Sequence, residues 1–323
     1  MFPSSPTTMQ FTTPVALPSA APVLTPESHV LLLGSCFADA VGQRLSTAMP
    51  AGHVCPNPFG VLYNPASIAT AVEMAHSDSL PAAACFAGSD GWWHSWFHAS
   101  AASAESREAC QQKAEAALHS AAEALRSADM LIVTFGTTHT YTHQQHGFTV
   151  ANCHKEVPTT FRQDEMSLSD IVSIWEPLWT MLHKHYPRLH LVFTVSPYRY
   201  KAYGLHASQL AKATLLLATE RLCALHPQIH YFPAYEILLD ELRDYRYYAD
   251  DLLHPSALAA DYIFERFAQW AFSPTLTAFA TERERLRRTE AHRPLHPGST
   301  AAAKHQSAVE AQRQAFRAKW GTL

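Results

Sequence analysis

Two side chains that can act as nucleophiles, Ser35 and Cys36, stand together in the stretch VLLLGSCF. The apolar run 30–33 before the glycine is typical of a buried strand, and residues 37–48 have the apolar spacing of a helix. A hydroxyl or thiol at such a strand-to-helix turn can attack a carbonyl group if a base and an oxyanion site lie nearby. Without those partners, Ser35 would only cap the helix, and Cys36 would be a small buried apolar side chain.

The segment DDLLHPS offers a base, because it has Asp251 three residues before His254. A histidine acts as a general base when an acceptor keeps one ring nitrogen protonated and leaves the other free. On a tight turn the aspartate can reach the Nδ1 proton, and Pro255 suits the first turn of a following helix. The chain has 20 histidines, so this spacing alone favours a capped surface turn as much as a catalytic pair. The upstream nucleophile candidates favour the catalytic interpretation.

The elements that would position these residues alternate between apolar strands and amphipathic helices. The sequence predicts buried strands over 29–34, 128–137 and 189–197, and a shorter strand within 229–238. It predicts helices over 37–48, 67–75, 104–127, 167–187 and 208–227, and a last one within 248–272. This alternation is typical of a parallel sheet with helices on both faces. Ligands bind at the carboxyl ends of such strands, where Gly34, Gly136 and the pair Ser196–Pro197 all fall.

Composition divides the chain into three parts. Residues 1–25 are rich in Pro, Ser and Thr and predict an extended lead-in. Residues 26–272 carry the alternating strands and helices and predict the α/β domain. Residues 273–323 change character and predict a helical or partly disordered C-terminal tail.

Charge and hydropathy argue against several classes of protein. A net charge of −4 spread along 323 residues gives no basis for binding nucleic acid or an anionic membrane. No apolar stretch approaches the roughly 20 residues that a spanning helix needs. The first residues lack the basic start and compact apolar core of a secretory signal, so we expect a cytoplasmic protein.

The cysteines and histidines do not predict a metal site or a cofactor. The six cysteines lack CxxC or CxxH spacing and are expected to be free thiols. His139, His143 and His146, with His154, lie in a polar segment that has no carboxylate among them, which argues against a metal site.

Several sequence blocks carry a resemblance to known proteins. VLLLGSCF resembles the strand–G-D-S–L signature of the SGNH/GDSL hydrolases, and DLLHP resembles their terminal D-x-x-H. A closer resemblance is to the GSCFA family of bacterial proteins, usually grouped with the SGNH hydrolases, since GSCFA stands at 34–38. The resemblance spans roughly residues 10–270 and continues through NPFGVLYNP (57–65), FGTTHTY (135–141), VANCHK (150–155), TVSPYR (194–199) and residues 231–256. It implies a three-layer αβα fold with a central parallel sheet, SGNH-hydrolase or flavodoxin-like, followed by the helical tail.

The resemblance also implies roles for the nucleophile candidates. Aligned at Gly34, Ser35 falls where the hydrolases have Asp, and Cys36 falls at their nucleophilic Ser. Cys36 is the favoured nucleophile, and its pKa would be lowered by the helix N-terminus and a nearby His. If the turn is one residue tighter, Ser35 attacks instead. Asp251 and His254 would complete the triad.

The oxyanion donors implied by the resemblance are less complete. Gly60 in NPFGV matches the second-block glycine whose N–H holds an oxyanion, although a turn with positive φ would also explain it, and Asn57 would brace this loop. The third block ends in G-x-N in the hydrolases, whereas here Gly136 leads to Thr138. Thr138 must then donate with its shorter reach, or Asn152 of VANCHK swings in, or the oxyanion hole is weaker.

The function implied is hydrolysis of an acyl ester or thioester, with a small-molecule ester or acylated carbohydrate as substrate and no cofactor. An O-acyltransferase would use the same triad, with another hydroxyl in place of water. A non-catalytic protein binding small molecules or carbohydrates on the same fold is the competing class, and a metallohydrolase is a weaker one.

Overall fold

A computed structural model describes residues 12–293, 296 and 299–321 of the chain. The strands are β1 (Val30–Gly34), β2 (Val54–Pro56), β3 (Cys85–Ala87), β4 (Trp93–Ser95), β5 (Met130–Phe135), β6 (His139–His143), β7 (Phe161–Glu165), β8 (His190–Val195) and β9 (Ile229–Tyr231). The helices are α1 (Cys36–Ala48), α2 (Pro65–Ser77), α3 (Arg107–Ser127), α4 (Leu168–His185), α5 (Leu205–Cys223), α6 (Ala234–Glu236), α7 (Ala257–Ala271), α8 (Pro274–Ala291) and α9 (Thr300–Trp320). A π-helical segment, Ile237–Leu242, continues α6.

Five strands form one parallel sheet in the order β2-β1-β5-β8-β9. Gly34 at the end of β1 pairs with Thr134 of β5, which pairs in turn with Thr194 of β8. Because the carboxyl ends of β1, β5 and β8 are in register, the residues that follow these strands lie close together at one edge of the sheet. That edge carries the candidate site.

Helices cover both faces of the sheet. Leu31 and Leu33 of β1 pack towards α2, α3, α4 and α5, whereas Val30 and Leu32 pack towards α1 and α7. The period of two along the strand sends alternate side chains into two separate cores. The predicted α/β fold with three layers and a central parallel sheet is therefore confirmed.

The described parts of the two terminal regions pack against this domain. Leu24 donates its N–H to Ala271 O at 2.7 Å, and the Trp270 indole donates to Pro18 O at 3.0 Å. Phe279 of α8 and Phe316 of α9 are buried in the core beneath α1 and α7. Residues 1–11 of the predicted lead-in, and 294–295, 297–298 and 322–323 of the tail, lie outside the described residues. The predicted boundaries at 25 and 272 stay predictions.

Along the described parts of the chain, no helix is both long enough and apolar enough to cross a bilayer.

At the end of β1 the backbone of Gly34 lies very close to that of Thr134 in β5, and a substitution of Gly34 tests this close approach. Gly34 has a φ of +146°, and a Cβ there would lie 2.8 Å from the Thr134 amide nitrogen and closer still to its carbonyl oxygen. Backbone atoms within a sheet cannot move aside, so Gly34→Ala is expected to lower the free energy of unfolding by about 3 kcal/mol or more. Chemical denaturation monitored by circular dichroism measures this loss.

Gly52→Ala is the matched control for the Gly34 variant. Gly52 also has a positive φ, +80°, but a Cβ there would meet nothing within 4 Å. Only the backbone strain of about 1 kcal/mol remains at this position. Equal losses in the two variants would contradict the close approach of β1 and β5 at Gly34.

Candidate active site

The turn between β1 and α1 presents Cys36 and buries Ser35. Ser35 is the N-cap of α1 and is 1% exposed, and its Oγ accepts a hydrogen bond from the Phe37 N–H at 3.3 Å. Cys36 is the first residue of α1 and is partly exposed. The hydroxyl is therefore used within the helix cap, and the thiol is the more accessible of the two nucleophile candidates.

Asn57 braces this turn through its side chain. Its Oδ1 accepts from the Gly34 N–H at 2.8 Å, and its Nδ2 donates to Asp39 Oδ1 at 2.6 Å. Asn57 itself has a positive φ of 43°, which asparagine tolerates better than most residues. The loop after β2 is thus tied both to the end of β1 and to the first turn of α1.

Gly60 closes the same loop rather than presenting a free donor. Its N–H donates to the Asn57 carbonyl at 2.7 Å, and its φ is +76°. A Cβ at this position would run into the Ala99 methyl group. The positive φ and the close approach of Ala99 explain the glycine, and its N–H already has an acceptor.

The residues after β5 are also engaged. The N–H groups of Gly136 and Thr137 both donate to Tyr63 O, at 2.8 and 3.0 Å. Thr138 is fully buried, and its Oγ1 donates to Glu165 Oε1 of β7 at 3.0 Å. Gly136 lies against the nucleophile turn, since a Cβ there would be 3.6 Å from the Ser35 Cβ.

Asn152 is held in a turn of its own, where its Oδ1 accepts from the His154 N–H at 2.8 Å. Of the donors considered for an oxyanion, the Cys36 N–H has no acceptor among the hydrogen bonds of the described residues. It is one of the N–H groups that a helix leaves unpaired in its first turn.

Asp251 and His254 form a hydrogen-bonded pair on the turn before α7. The His254 Nδ1 and Asp251 Oδ2 lie 2.5 Å apart. Asp251 Oδ1 accepts from the N–H groups of Leu253 at 2.9 Å and His254 at 3.0 Å. These bonds, first the one from the imidazole, lower the pKa of Asp251 to about 2. The carboxylate is thus charged at neutral pH and leaves His254 Nε2 free to accept a proton.

The loop after β8 connects this pair to the nucleophile turn. The Arg199 N–H donates to Leu253 O at 3.0 Å, and the Tyr198 ring centroid lies 4.2 Å from that of His254. The pKa of Tyr198 is raised by burial first, and then by the negative charges of ionised Cys36 and Asp251. The Tyr198 ring therefore contacts His254, and its pKa responds to the charges of both Cys36 and Asp251. No hydrogen bond joins Cys36 Sγ to His254 across the described residues, and catalytic contacts are often long before substrate binds.

The structure raises the pKa of the Cys36 thiol, whereas the sequence predicted a lower one. Burial is the largest cause, and the nearby Asp39 carboxylate adds to it. The N–H groups of Phe37 and Cys36 and the amine of Lys212 act in the opposite direction but do not prevail. The helix N-terminus was recognised in the sequence, but the depth of the turn and the orientation of Asp39 were not.

Sequence analysis missed Lys212 and the tyrosines around Cys36. Lys212 is 2% exposed, and its Nζ donates to Gly136 O at 2.6 Å and to Ser196 O at 2.7 Å. Burial, followed by the charges of Cys36 and Tyr198, raises the pKa of Tyr63 to about 12. The helical spacing of α5 contained the signal for Lys212, since it falls in register with the buried Ala211 and Leu215.

The histidines considered for a metal are engaged separately. His154 Nε2 lies 2.9 Å from Ser95 O, and the His139 ring packs 3.9 Å from the Tyr203 ring. Across residues 12–293 and the described part of the tail, no three His, Cys, Asp or Glu side chains are grouped so that they could hold a metal ion.

Comparison with known proteins gives a family, and two of the solved structures that are similar to this chain illustrate its fold relatives. A family model described as the GSCFA family matches residues 29–267. The crystal structure of a carbohydrate esterase family 2 enzyme plus carbohydrate binding domain, from Corynascus thermopiles (Myceliophthora fergusii), is similar at 17% identity and a TM-score of 0.29. That match covers 48% of this chain and 38% of the esterase chain, so this protein spans well under half of that structure's length.

A protein from Streptococcus pneumonia, described as a proposed platelet activating factor, is similar at 12% identity and a TM-score of 0.36. The match covers 75% of this chain and 84% of that one. A search among curated protein sequences found no match.

Proposed function

This chain belongs to the GSCFA family, and on that premise we propose that it is a hydrolase of acyl esters or thioesters with Cys36 as nucleophile. In this proposal His254 is the general base and Asp251 orients it. The observation that carries it is the Asp251–His254 pair, whose Nδ1 and Oδ2 lie 2.5 Å apart and whose imidazole packs against Tyr198 of the loop after β8.

Attack begins with proton transfer from the thiol. Because the pKa of Cys36 is raised, the thiolate is not formed in advance, and His254 Nε2 takes the thiol proton as the sulfur attacks the carbonyl carbon. The tetrahedral intermediate collapses when its C–O or C–S bond to the leaving group breaks, and His254 returns the proton to that group. Water, deprotonated by His254, then hydrolyses the thioester formed on Cys36.

With few donors available in the oxyanion site, we expect slow turnover of substrates that have poor leaving groups. The Cys36 N–H has no acceptor within the described part of the chain, but the Gly60 N–H donates to the Asn57 carbonyl and the Thr138 hydroxyl donates to Glu165. Loss of one oxyanion donor raises a barrier by about 3 kcal/mol, roughly 10²-fold in rate. We therefore propose substrates with good leaving groups, such as thioesters or activated esters, ahead of simple alkyl esters.

The preferred acyl donor in this proposal is a small thioester or activated ester, and an O-acylated carbohydrate, whose leaving group is a plain alcohol, is expected to react more slowly. Tyr63, Tyr198 and Tyr200 are half-buried, and the rings of Tyr198 and Tyr200 lie 6.1 Å apart. Burial, followed by the charge of Cys36, raises the pKa of Tyr63 and of Tyr198. Such rings offer flat faces for a sugar or an acyl chain. An O-acyltransferase would differ only in the second step, in which the hydroxyl of a sugar replaces water.

The engaged donors at Gly60 and Thr138 favour a second candidate, a binding protein without turnover. The two candidates differ when the protein is mixed with an acetyl thioester or p-nitrophenyl acetate and analysed by mass spectrometry. Hydrolysis predicts one acyl group per chain, mapped to Cys36, followed by its loss to water. A sugar hydroxyl that takes the acyl group faster than water would indicate the transferase.

Cys55 provides the internal control for this labelling. It is also half-buried with a pKa raised by burial, and its Sγ lies 3.6 Å from the Ser120 Oγ, whereas the proposed base His254 lies on the turn before α7. In this proposal Cys36 is expected to acylate far faster than Cys55, because His254 serves as the base for Cys36 alone. Equal and slow labelling of both thiols would contradict hydrolysis and leave the binding protein.

A further inference from the structure

Lys212 is buried directly beneath the nucleophile turn. It lies on the inner face of α5, and its amine donates to the carbonyls of Gly136 and Ser196, the first residues after β5 and β8. Gly136 in turn packs against Ser35, the neighbour of Cys36. The amine is therefore enclosed between two strand ends and the turn that carries the thiol.

A buried lysine at this position lowers the stability of the fold unless its positive charge is compensated. Taking an ammonium group out of water costs several kcal/mol without a counter-charge. The two carbonyls accept two of its three protons, and no carboxylate lies within salt-bridge distance of it among the described residues. A neutral side chain could join two carbonyls at a lower cost. The amine thus has a use beyond tying the strand ends together.

The titratable groups that face the amine come from two elements, α1 and α6. Cys36 lies on α1, with Asp39 one turn further along the same helix. The Tyr235 ring of α6 lies 5.9 Å from the amine. Burial lowers the pKa of Lys212 to about 7, and the negative charge of ionised Cys36 raises it again. The amine is thus held near the point of ionisation and becomes a cation most readily when the thiol becomes an anion.

We propose that Lys212 is a positioning residue whose ammonium form provides the counter-charge for the Cys36 thiolate, from beneath the Gly136 carbonyl. When Cys36 ionises, the S–H bond breaks, the sulfur keeps the electron pair, and the proton goes to His254 Nε2 or to water. Lys212 keeps its third proton or takes one from water. This proposal rests on the proposed function only in its choice of Cys36, and its test needs no turnover.

The test is the pH dependence of Cys36 alkylation by iodoacetamide, measured by peptide mass spectrometry on the full chain. Lys212→Met removes the charge, and Lys212→Gln removes it while keeping two N–H donors for the carbonyls. Both are expected to move the midpoint of alkylation upward by about one pH unit, a tenfold lower rate at neutral pH. Lys212→Arg keeps a permanent cation and is expected to leave the midpoint at or below that of the unaltered protein.

Lys184→Met on the exposed surface of α4 is the control, with no shift expected. If Lys212 only ties the strand ends, Lys212→Met lowers the melting temperature and all variants share one midpoint, which would overturn the proposal. If Lys212→Met does not fold, the Gln and Arg variants still decide, because they differ in charge while both retain donors.

The result is separable from the proposed function. If the alkylation midpoint shifts in the Lys212 variants but the protein has no hydrolytic activity, the proposed hydrolase function is wrong and the proposed role of Lys212 stands. If the midpoint is unchanged but activity requires Cys36, only the proposed role of Lys212 is wrong.

Discussion

Cys36→Ala is expected to lower kcat/KM for an acetyl thioester by about 10³-fold or more, whereas Ser35→Ala is expected to lower it by less than about tenfold. The thiol at the start of α1 is the more exposed of the two nucleophile candidates, and in the proposed mechanism its removal leaves only substrate binding and the Cys36 backbone N–H. Ser35 is 1% exposed, and its Oγ accepts the Phe37 N–H. Its loss costs about 1 kcal/mol of stability as a missing helix cap, which thermal denaturation measures.

Steady-state hydrolysis at pH 7.5 and the yield of acyl-enzyme separate these variants. Cys55→Ala, another half-buried thiol, is expected to keep the full rate. If Ser35→Ala abolished turnover while Cys36→Ala retained it, the turn would have to open so that the hydroxyl leaves the helix cap. The thiol mechanism would then be wrong.

The central strands could be predicted from the sequence because their chemistry is uniform. Residues 30–34, 130–135 and 190–195 are apolar runs buried on both faces, and such runs have few alternatives in a globular chain. The edge strand β2 covers only Val54–Pro56 and is half-exposed, so no apolar run marks it. The sequence predicts only a polar segment where β6 lies, because most residues of β6 and β7 bear polar side chains. The pairing of residues 139–143 with residues 161–165 joins distant parts of the chain, so no local pattern predicts it.

In the candidate site too, contacts between residues close in sequence could be predicted, whereas contacts between distant loops could not. Asp251 and His254 are three residues apart, so their pairing on a turn could be predicted from spacing alone. The partners of Gly60 and Thr138 depend on how distant loops close, and no local pattern encodes them. Lys212 is an intermediate case. Its position in the helical repeat of α5 predicts that it faces inward, but it does not predict which carbonyl groups the amine contacts.

These contacts together define a site that is assembled but not charged in advance. Asp39 and burial oppose the thiolate, while Lys212 and the first N–H groups of α1 favour it. Asp251 is already ionised and bonded to His254. In the proposed mechanism, proton removal by His254 is therefore the step on which the reaction depends most.

His254→Ala is consequently expected to slow acylation of Cys36 by about 10³-fold, with little change in stability since the side chain is 44% exposed. Asp251→Asn is expected to slow it by about 10²-fold or more, because an amide nitrogen facing Nδ1 favours the tautomer that lacks a free Nε2 lone pair. Single-turnover acylation followed by mass spectrometry measures both.

Asp250→Asn is the matched control for these substitutions, since this exposed carboxylate one residue away makes no contact with the imidazole. The pKa of Asp251 is lowered to about 2, below its unfolded value of 3.8, so its carboxylate orients His254 at every pH above about 4 and loses this role only as the pH falls towards 2. An acid limb of acylation near neutral pH must therefore belong to another group and should persist in Asp250→Asn. Acylation that proceeds at the full rate in His254→Ala would exclude the imidazole as the base.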